Sequence, residues 1–230
     1  MNYQFVLLDV DGTLLDFNAC EAQAFKKGFE LCGYPWSEEI YRIYHGINRI
    51  VWEIHERGEM TREEILVLRF KMLFEQCGIS GDPADFEEIY LGFLAEGAFL
   101  ENGAIELLER LKASTAQVYI VTNGVLETQV KRLAMSGIDR CADGVFISEA
   151  IGWQKPKVEY FDYCFERIPG FCREKAIIVG DSLSADVQGG INAGIATCWY
   201  NPEGKAIRDV KPDFEVRTLD EVWRLLAGES

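Results

Sequence analysis

Basic residues are scarce: 23 Lys and Arg stand against 38 Asp and Glu in a chain of 230 residues, a formal net charge of −15. A field of that sign repels a polyphosphate backbone, which excludes a nucleic-acid polymer as the expected partner. A small phosphorylated substrate would then need its own cation, either a metal or a well-placed lysine. Only two histidines are present, His45 and His55, with no acidic or cysteine partner at ligand spacing, so no catalytic role is expected of either. The seven cysteines, Cys20, Cys32, Cys77, Cys141, Cys164, Cys172 and Cys198, are scattered singly. No CxxC pair is there to build a zinc knuckle, and the pattern reads as reduced thiols of a cytosolic protein. No apolar stretch reaches the ~20 residues of a membrane span. Met1-Asn2-Tyr3-Gln4 brings no basic region, and Asp9 and Asp11 break the apolar run that follows, unlike a signal peptide. The expectation is a soluble, cytoplasmic protein without internal repeats or low-complexity segments.

What the chain does have is enough apolar material, 48% of residues, to bury a large core. Three short aliphatic runs that end abruptly in polar residues read as buried parallel strands: Phe5 to Leu8, Val118 to Val121 and Ala176 to Val179. Weaker candidates are Gly144 to Ile147, Ile195 to Trp199 and an edge strand near Asp213 to Val216. Helical patterns alternate with them at Gly103 to Ala113, Leu126 to Ser136, Lys157 to Ile168 and Ser184 to Ala193. A last helix starts at Leu219, with Thr218 and Glu221 as a capping box and Gly228 as its stop. Strand and helix in alternation predict an α/β doubly wound parallel sheet. Residues 16–100 break the alternation, with helical signals and no convincing strand. Thr61-Arg62-Glu63-Glu64 is a second capping box, and Asp82-Pro83 an N-cap followed by proline at the first helical position. The predicted organisation is therefore a core of residues 1–15 and 101–230 interrupted by a four-helix insert.

In an open α/β sheet, ligands collect beyond the carboxyl ends of the strands. The polar fragments of this chain stand there: Asp9-Val10-Asp11-Gly12-Thr13 after the first strand, Thr122-Asn123-Gly124 after the second, and Gly180-Asp181-Ser182 with Asp186 after a later one. Lys155-Pro156 precedes another helix. Carboxylates converging on one crevice repel each other unless a cation joins them. Mg²⁺ prefers few carboxylates and takes its other oxygens from water and phosphate, which suits Asp9, Asp181 and a backbone carbonyl of Asp11.

In these four fragments, DVDGT, VTNG, Lys155-Pro156 and GDSLSAD, the chain resembles the haloacid dehalogenase superfamily of aspartate-dependent phosphatases. The likeness runs from the first strand to the last helix. It implies a Rossmann-like core with a helical cap, and Mg²⁺ as cofactor with Mn²⁺ as a substitute. It also implies roles. Asp9 would be the nucleophile, and Asp11 the general acid and later base. Thr122 with the backbone amide of Asn123 would hold phosphoryl oxygens, and Lys155 would balance charge. Asp181 would bind metal with Asp9 and Asp11, and Asp186 would support that shell or anchor its loop. A carboxylate meets a phosphate dianion as like charge, so the metal and Lys155 must screen the repulsion. An acid at position 11 argues for ester hydrolysis over dehalogenation, which resembling enzymes perform without it.

Within the insert, Ile47-Asn48-Arg49-Ile50-Val51-Trp52, Gly58-Glu59-Met60-Thr61 and Arg69-Phe70 are similar to the cap of bacterial housekeeping pyrimidine 5′-nucleotidases. Gly12 departs from them, since they often carry an acidic residue there. The resemblance implies a small phosphorylated metabolite, a nucleoside 5′-monophosphate, as substrate. Asn48, Trp52 and Arg69 are the cap residues expected to read its leaving group. The rival readings are a phosphatase or mutase for phosphoglycolate or a sugar phosphate, and a catalytically silent phosphate binder.

Overall fold

The computed structural model describes residues 1–206 and 210–229 of the chain. It divides into two compact units, one made of Met1–Phe17 and Ala98–Ser230, the other of Asn18–Gly97.

The first unit is built on six parallel strands: β1 (Phe5–Leu8), β2 (Gln117–Thr122), β3 (Gly144–Ile147), β4 (Ala176–Gly180), β5 (Ala196–Tyr200) and β6 (Phe214–Val216), in the order β3-β2-β1-β4-β5-β6. Every β1 residue is fully buried, because helices cover both faces of the sheet. Val6 and Leu8 point into one cluster with Leu107, Leu108, Val222 and Leu226. Phe5 and Leu7 point into the other with Tyr160, Phe161 and Cys164. That two-sided burial is why β1 reads as an unbroken apolar run instead of an alternating one. The chain moves from β1 outward through β2 to β3, then crosses back to place β4 on the other side of β1. The strand order therefore reverses at β1, and the carboxyl ends of β1, β2 and β4 adjoin there.

The two passages that link this unit to the other run side by side. Asp16 N–H donates to the Phe99 carbonyl at 2.9 Å, and Glu101 N–H to that of Leu14 at 2.9 Å.

The second unit holds α1 (Phe17–Cys32), α2 (Glu38–Glu56), α3 (Arg62–Cys77) and α4 (Pro83–Leu94). The Thr61–Glu64 capping box opens α3, and Asp82 caps α4 ahead of Pro83. Its core is aromatic: Tyr44 stacks on Phe70 at 5.0 Å between centroids, and Phe70 meets Phe86 edge-on at 4.7 Å. Asn48 and Arg69, expected to face a leaving group, are committed inside this unit instead. Arg69 is 1% exposed and forms a forked pair with Glu87 at 2.8 and 3.1 Å, and its Nη1 donates to Asn48 Oδ1 at 2.8 Å. Asn48 Nδ2 donates to Glu21 at 2.6 Å, so both ends of its amide are occupied. The reason is electrostatic. Burial drives the Glu87 carboxyl upward, the guanidinium opposes that, and a buried ion stays only where its donors are matched. Trp52 is half-buried and lies edge-on to His55 at 5.8 Å. His45, which had no acidic partner in the sequence pattern, has one in space, its Nδ1 2.6 Å from Glu21 Oε2. Replacing Arg69 with methionine should strand Glu87 and cost about 3–5 kcal/mol in urea denaturation, and Arg69→Met with Glu87→Leu should recover most of it.

Candidate active site

Asp9 is the next residue after β1 and is 7% exposed. Its Oδ1 accepts from Lys155 Nζ at 2.7 Å and its Oδ2 from Thr13 Oγ1 at 3.2 Å. Lys155, 1% exposed, also donates to Asp186 Oδ1 at 2.6 Å and to the Val121 carbonyl at 3.0 Å. All three ammonium hydrogens are thereby used. Burial pulls the Lys155 amine down, but Asp186 and Asp9 more than offset it and hold it above its ordinary value. The Asp9 carboxyl is also raised, to about 7, because burial and the nearby Asp186 and Asp11 outweigh Lys155. Asp181 is also raised well above its ordinary value, by burial first and then by Asp9 and Asp186. One lysine does not neutralise this much negative charge.

The backbone around these groups is shaped to let them approach. Gly12 has φ of +83°, and a Cβ there would lie 2.6 Å from Asp181 Oδ2. Only glycine both accepts that conformation and leaves the carboxylate room. Gly180, the last residue of β4, would meet Asp186 Oδ2 at 2.1 Å if it carried a Cβ. A π turn follows at Leu183–Val187, with Ser182 capping it through Ala185 N–H at 3.0 Å, and it turns Asp186 back under the strand end. Trp199 of β5 fixes the loop by donating from Nε1 to the Asp181 carbonyl at 2.8 Å.

Ligand oxygens of Asp9, Asp181 and Asp186 lie within 4.8 Å of one another. Asp186 has its second oxygen on the Ser182 N–H at 3.1 Å, so both its oxygens serve the lysine and the loop. Asp9 and Asp181 are then the carboxylates best placed for a cation. Two hard oxygens raised in basicity by burial and then by mutual repulsion fit a small divalent ion.

From β2, Thr122 is 1% exposed, and its Oγ1 accepts from Gly124 N–H at 3.1 Å. Asn123 uses its side chain to bracket the Lys155 backbone, with Nδ2 on the Lys155 carbonyl and Oδ1 on its N–H, both at 2.9 Å. Any part in binding phosphate thus falls to its backbone amide. Asp11 is held through both oxygens, by Arg132 Nη1 at 2.6 Å and by Gln129 Nε2 at 2.9 Å. Neither Gln129 nor Arg132 was among the residues singled out from the sequence. Both sit on α5 (Leu126–Ser136), one turn apart on its buried side with Leu133. Two polar residues on the core-facing side of a helix just after VTNG were the available signal.

These residues come together at the reversal point of a parallel sheet, which is where the comparison with known proteins bears. Residues 3–194 match the haloacid dehalogenase-like hydrolase family. The chain is a member of that family. It is 44% identical over 229 residues to the HAD-hydrolase YfnB of Bacillus subtilis (strain 168), covering 99% of this chain and 97% of that protein. A crystal structure of YfnB bound to magnesium superposes with a TM-score of 0.93, over 97% of this chain and 98% of that one. Pyrimidine 5′-nucleotidase PynA of Streptococcus pneumoniae (strain ATCC BAA-255 / R6) is 35% identical over 223 residues, 96% of this chain and 94% of PynA. Pyrimidine 5′-nucleotidase YjjG of Escherichia coli (strain K12) is 30% identical over 232 residues, 98% of this chain and 99% of YjjG. The α/β doubly wound reading thus holds, and the chain is a hydrolase. Among the described residues, no helix is long and apolar enough to cross a membrane.

Proposed function

We propose that this hydrolase is a Mg²⁺-dependent phosphomonoesterase that acts on nucleoside 5′-monophosphates, with a pyrimidine preference, through an aspartyl phosphate. The observation that carries the reading is a buried Asp9 carboxylate held 2.7 Å from the Lys155 amine and beside Asp181. A carboxylate so placed cannot serve as ordinary core. It is kept there, at a cost in burial and repulsion, because chemistry needs it.

In the proposed reaction a carboxylate oxygen of Asp9 forms a bond to phosphorus as the bond from phosphorus to the leaving oxygen breaks. Asp11 gives a proton to that oxygen. Water then attacks the same phosphorus, Asp11 takes its proton, and the bond to Asp9 breaks to release inorganic phosphate. Lys155 offsets the charge of nucleophile and phosphoryl group, and Thr122 with the Asn123 amide orients the phosphoryl oxygens. Asp9, Asp181 and the Asp11 carbonyl would hold Mg²⁺, which when bound supplies positive charge to the phosphoryl oxygens. The nucleotide preference is supported by the full-length likeness to PynA and YjjG. Discrimination among leaving groups is assigned to the helical unit, Asn18–Gly97.

A panel of phosphate esters tests this. Uridine and thymidine monophosphates should be turned over faster than phosphoglycolate and hexose phosphates, and the reverse order would remove the nucleotidase reading. Accumulation of a sugar bisphosphate would show a mutase.

Metal binding should appear in stability as well. Raised carboxyl values mean that the folded chain holds protons which the unfolded chain has lost. Without divalent ions, stability from Asp9 is complete below its unfolded value of 3.8 and disappears as pH rises toward about 7. The gain in Tm on adding Mg²⁺ should therefore be larger at about pH 8 than at about pH 5. At a hundredfold excess over Kd the gain is ~2.7 kcal/mol, or roughly 5–10 °C for a chain of this size. An equal gain at both pH values would contradict the raised carboxylates.

A further inference from the structure

Gln129 touches both the Thr122 hydroxyl and the Asp11 carboxylate of the proposed chemistry. It is 1% exposed, and its Nε2 donates to Thr122 Oγ1 at 2.8 Å and to Asp11 Oδ2 at 2.9 Å. Its Oε1 accepts from Arg132 Nη1 at 2.9 Å. That last contact decides which way the amide faces. Turned over, it would set an NH₂ against a guanidinium and a carbonyl oxygen against a carboxylate, two like-polarity contacts in a buried place.

The consequence falls on Thr122. A hydroxyl has two lone pairs and one proton. Both lone pairs of Thr122 Oγ1 receive N–H groups, from Gln129 at 2.8 Å and from Gly124 at 3.1 Å. What remains for a ligand is the proton. Gly124 belongs to the same design, because a Cβ there would lie 2.6 Å from Gln129 Cδ and push the amide away.

We propose that Gln129, its amide oriented by Arg132, is a positioning residue that makes the Thr122 hydroxyl an obligate donor toward a phosphoryl oxygen while holding Asp11 by the same NH₂ group. The inference rests on the phosphatase reading for its ligand and deepens it. It adds the device that fixes the polarity of the phosphate site and ties it to the acid.

Gln129→Glu in the full chain is the test, because the side chain keeps its shape and loses both donors. Thr122 would then spend its proton on the new carboxylate. The inhibition constant for inorganic phosphate should rise by about tenfold or more, the effect of losing a charge-assisted hydrogen bond. kcat/KM should fall more for an alkyl phosphate than for p-nitrophenyl phosphate, whose leaving group needs no acid. In Thr122→Val, adding Gln129→Glu should weaken phosphate binding little further, since Gln129 acts through Thr122. An unchanged constant for phosphate, effects that add in the double variant, or equal losses for both esters would overturn the proposal. Should Gln129→Glu fail to fold, Gln129→Met read by the same three measurements serves instead. Phosphate binding by titration calorimetry separates this inference from the reading beneath it. If the wild type binds phosphate but hydrolyses no ester, and Gln129→Glu loses that binding, the positioning role stands and the phosphatase falls.

Discussion

Asp9→Asn should abolish phosphate release, by roughly 10⁴-fold or more in kcat/KM, while leaving the fold intact. The two halves of that expectation come from the same contacts. An amide is a far poorer nucleophile than a carboxylate, and neither Asp186 nor Asp11 is placed to substitute for it. Asp186 has both oxygens in use on Lys155 and Ser182, and Asp11 has both on Arg132 and Gln129. The fold survives because Lys155 keeps Asp186 and the Val121 carbonyl as partners after Asp9 loses its charge. Removal of one of several mutually repelling carboxylates also relieves the cluster. Tm should therefore be unchanged or higher without metal, and the Tm gain from Mg²⁺ should shrink. Stopped turnover analysed by mass spectrometry should show a phosphoryl adduct on wild-type Asp9 and none in the variant. Equal phosphate release by both proteins would reject Asp9 as nucleophile.

Lys155→Met makes the opposite demand on the structure. The side chain is replaced by one of similar volume without charge, and Asp9 and Asp186 lose the cation they share at 2.7 and 2.6 Å. Breaking a buried pair in this way costs about 3–5 kcal/mol. Tm should fall by roughly 6–20 °C. The deficit should widen as pH rises, because Lys155 is what lowers the Asp9 carboxyl value against burial, and without it the folded chain must give up still more stability to ionise Asp9. Mg²⁺ should restore part of it by supplying the missing positive charge. Activity should stay ~10²–10³-fold down even when the metal has restored the fold, the scale of losing one fixed charge from a transition state. Thermal melts across pH with and without Mg²⁺, set beside phosphate release, measure both effects. A variant as stable as wild type at every pH would show that Lys155 does not neutralise the site.

Three of the four chemical fragments were legible because each is a short string fastened to a strand end, and strand ends follow from apolar runs that stop abruptly; Lys155-Pro156 stands apart, between two helices. Asp9, Thr122 and Asp181 needed only the register of β1, β2 and β4 to be brought together. In the helical unit the caps at Thr61 and Asp82 were legible for a similar reason, since they are local. Its interior was not. Arg69 reads from the sequence as a residue facing the leaving group, yet it is paired with Glu87, eighteen residues along. Glu21 binds Asn48 and His45 from a different helix altogether. The same limit hid Gln129 and Arg132, which reach Asp11 across more than a hundred residues of chain.

By itself the sequence determined the alternation of strand and helix, because that depends on neighbours within a few turns of chain. Only the tertiary structure decided which partner each buried ion takes and which way each amide faces. Those choices come from the cost of leaving charge or a polar atom unpaired in a low-dielectric interior. That cost is settled by whatever lies closest in space, and the order of residues along the chain does not say what that is.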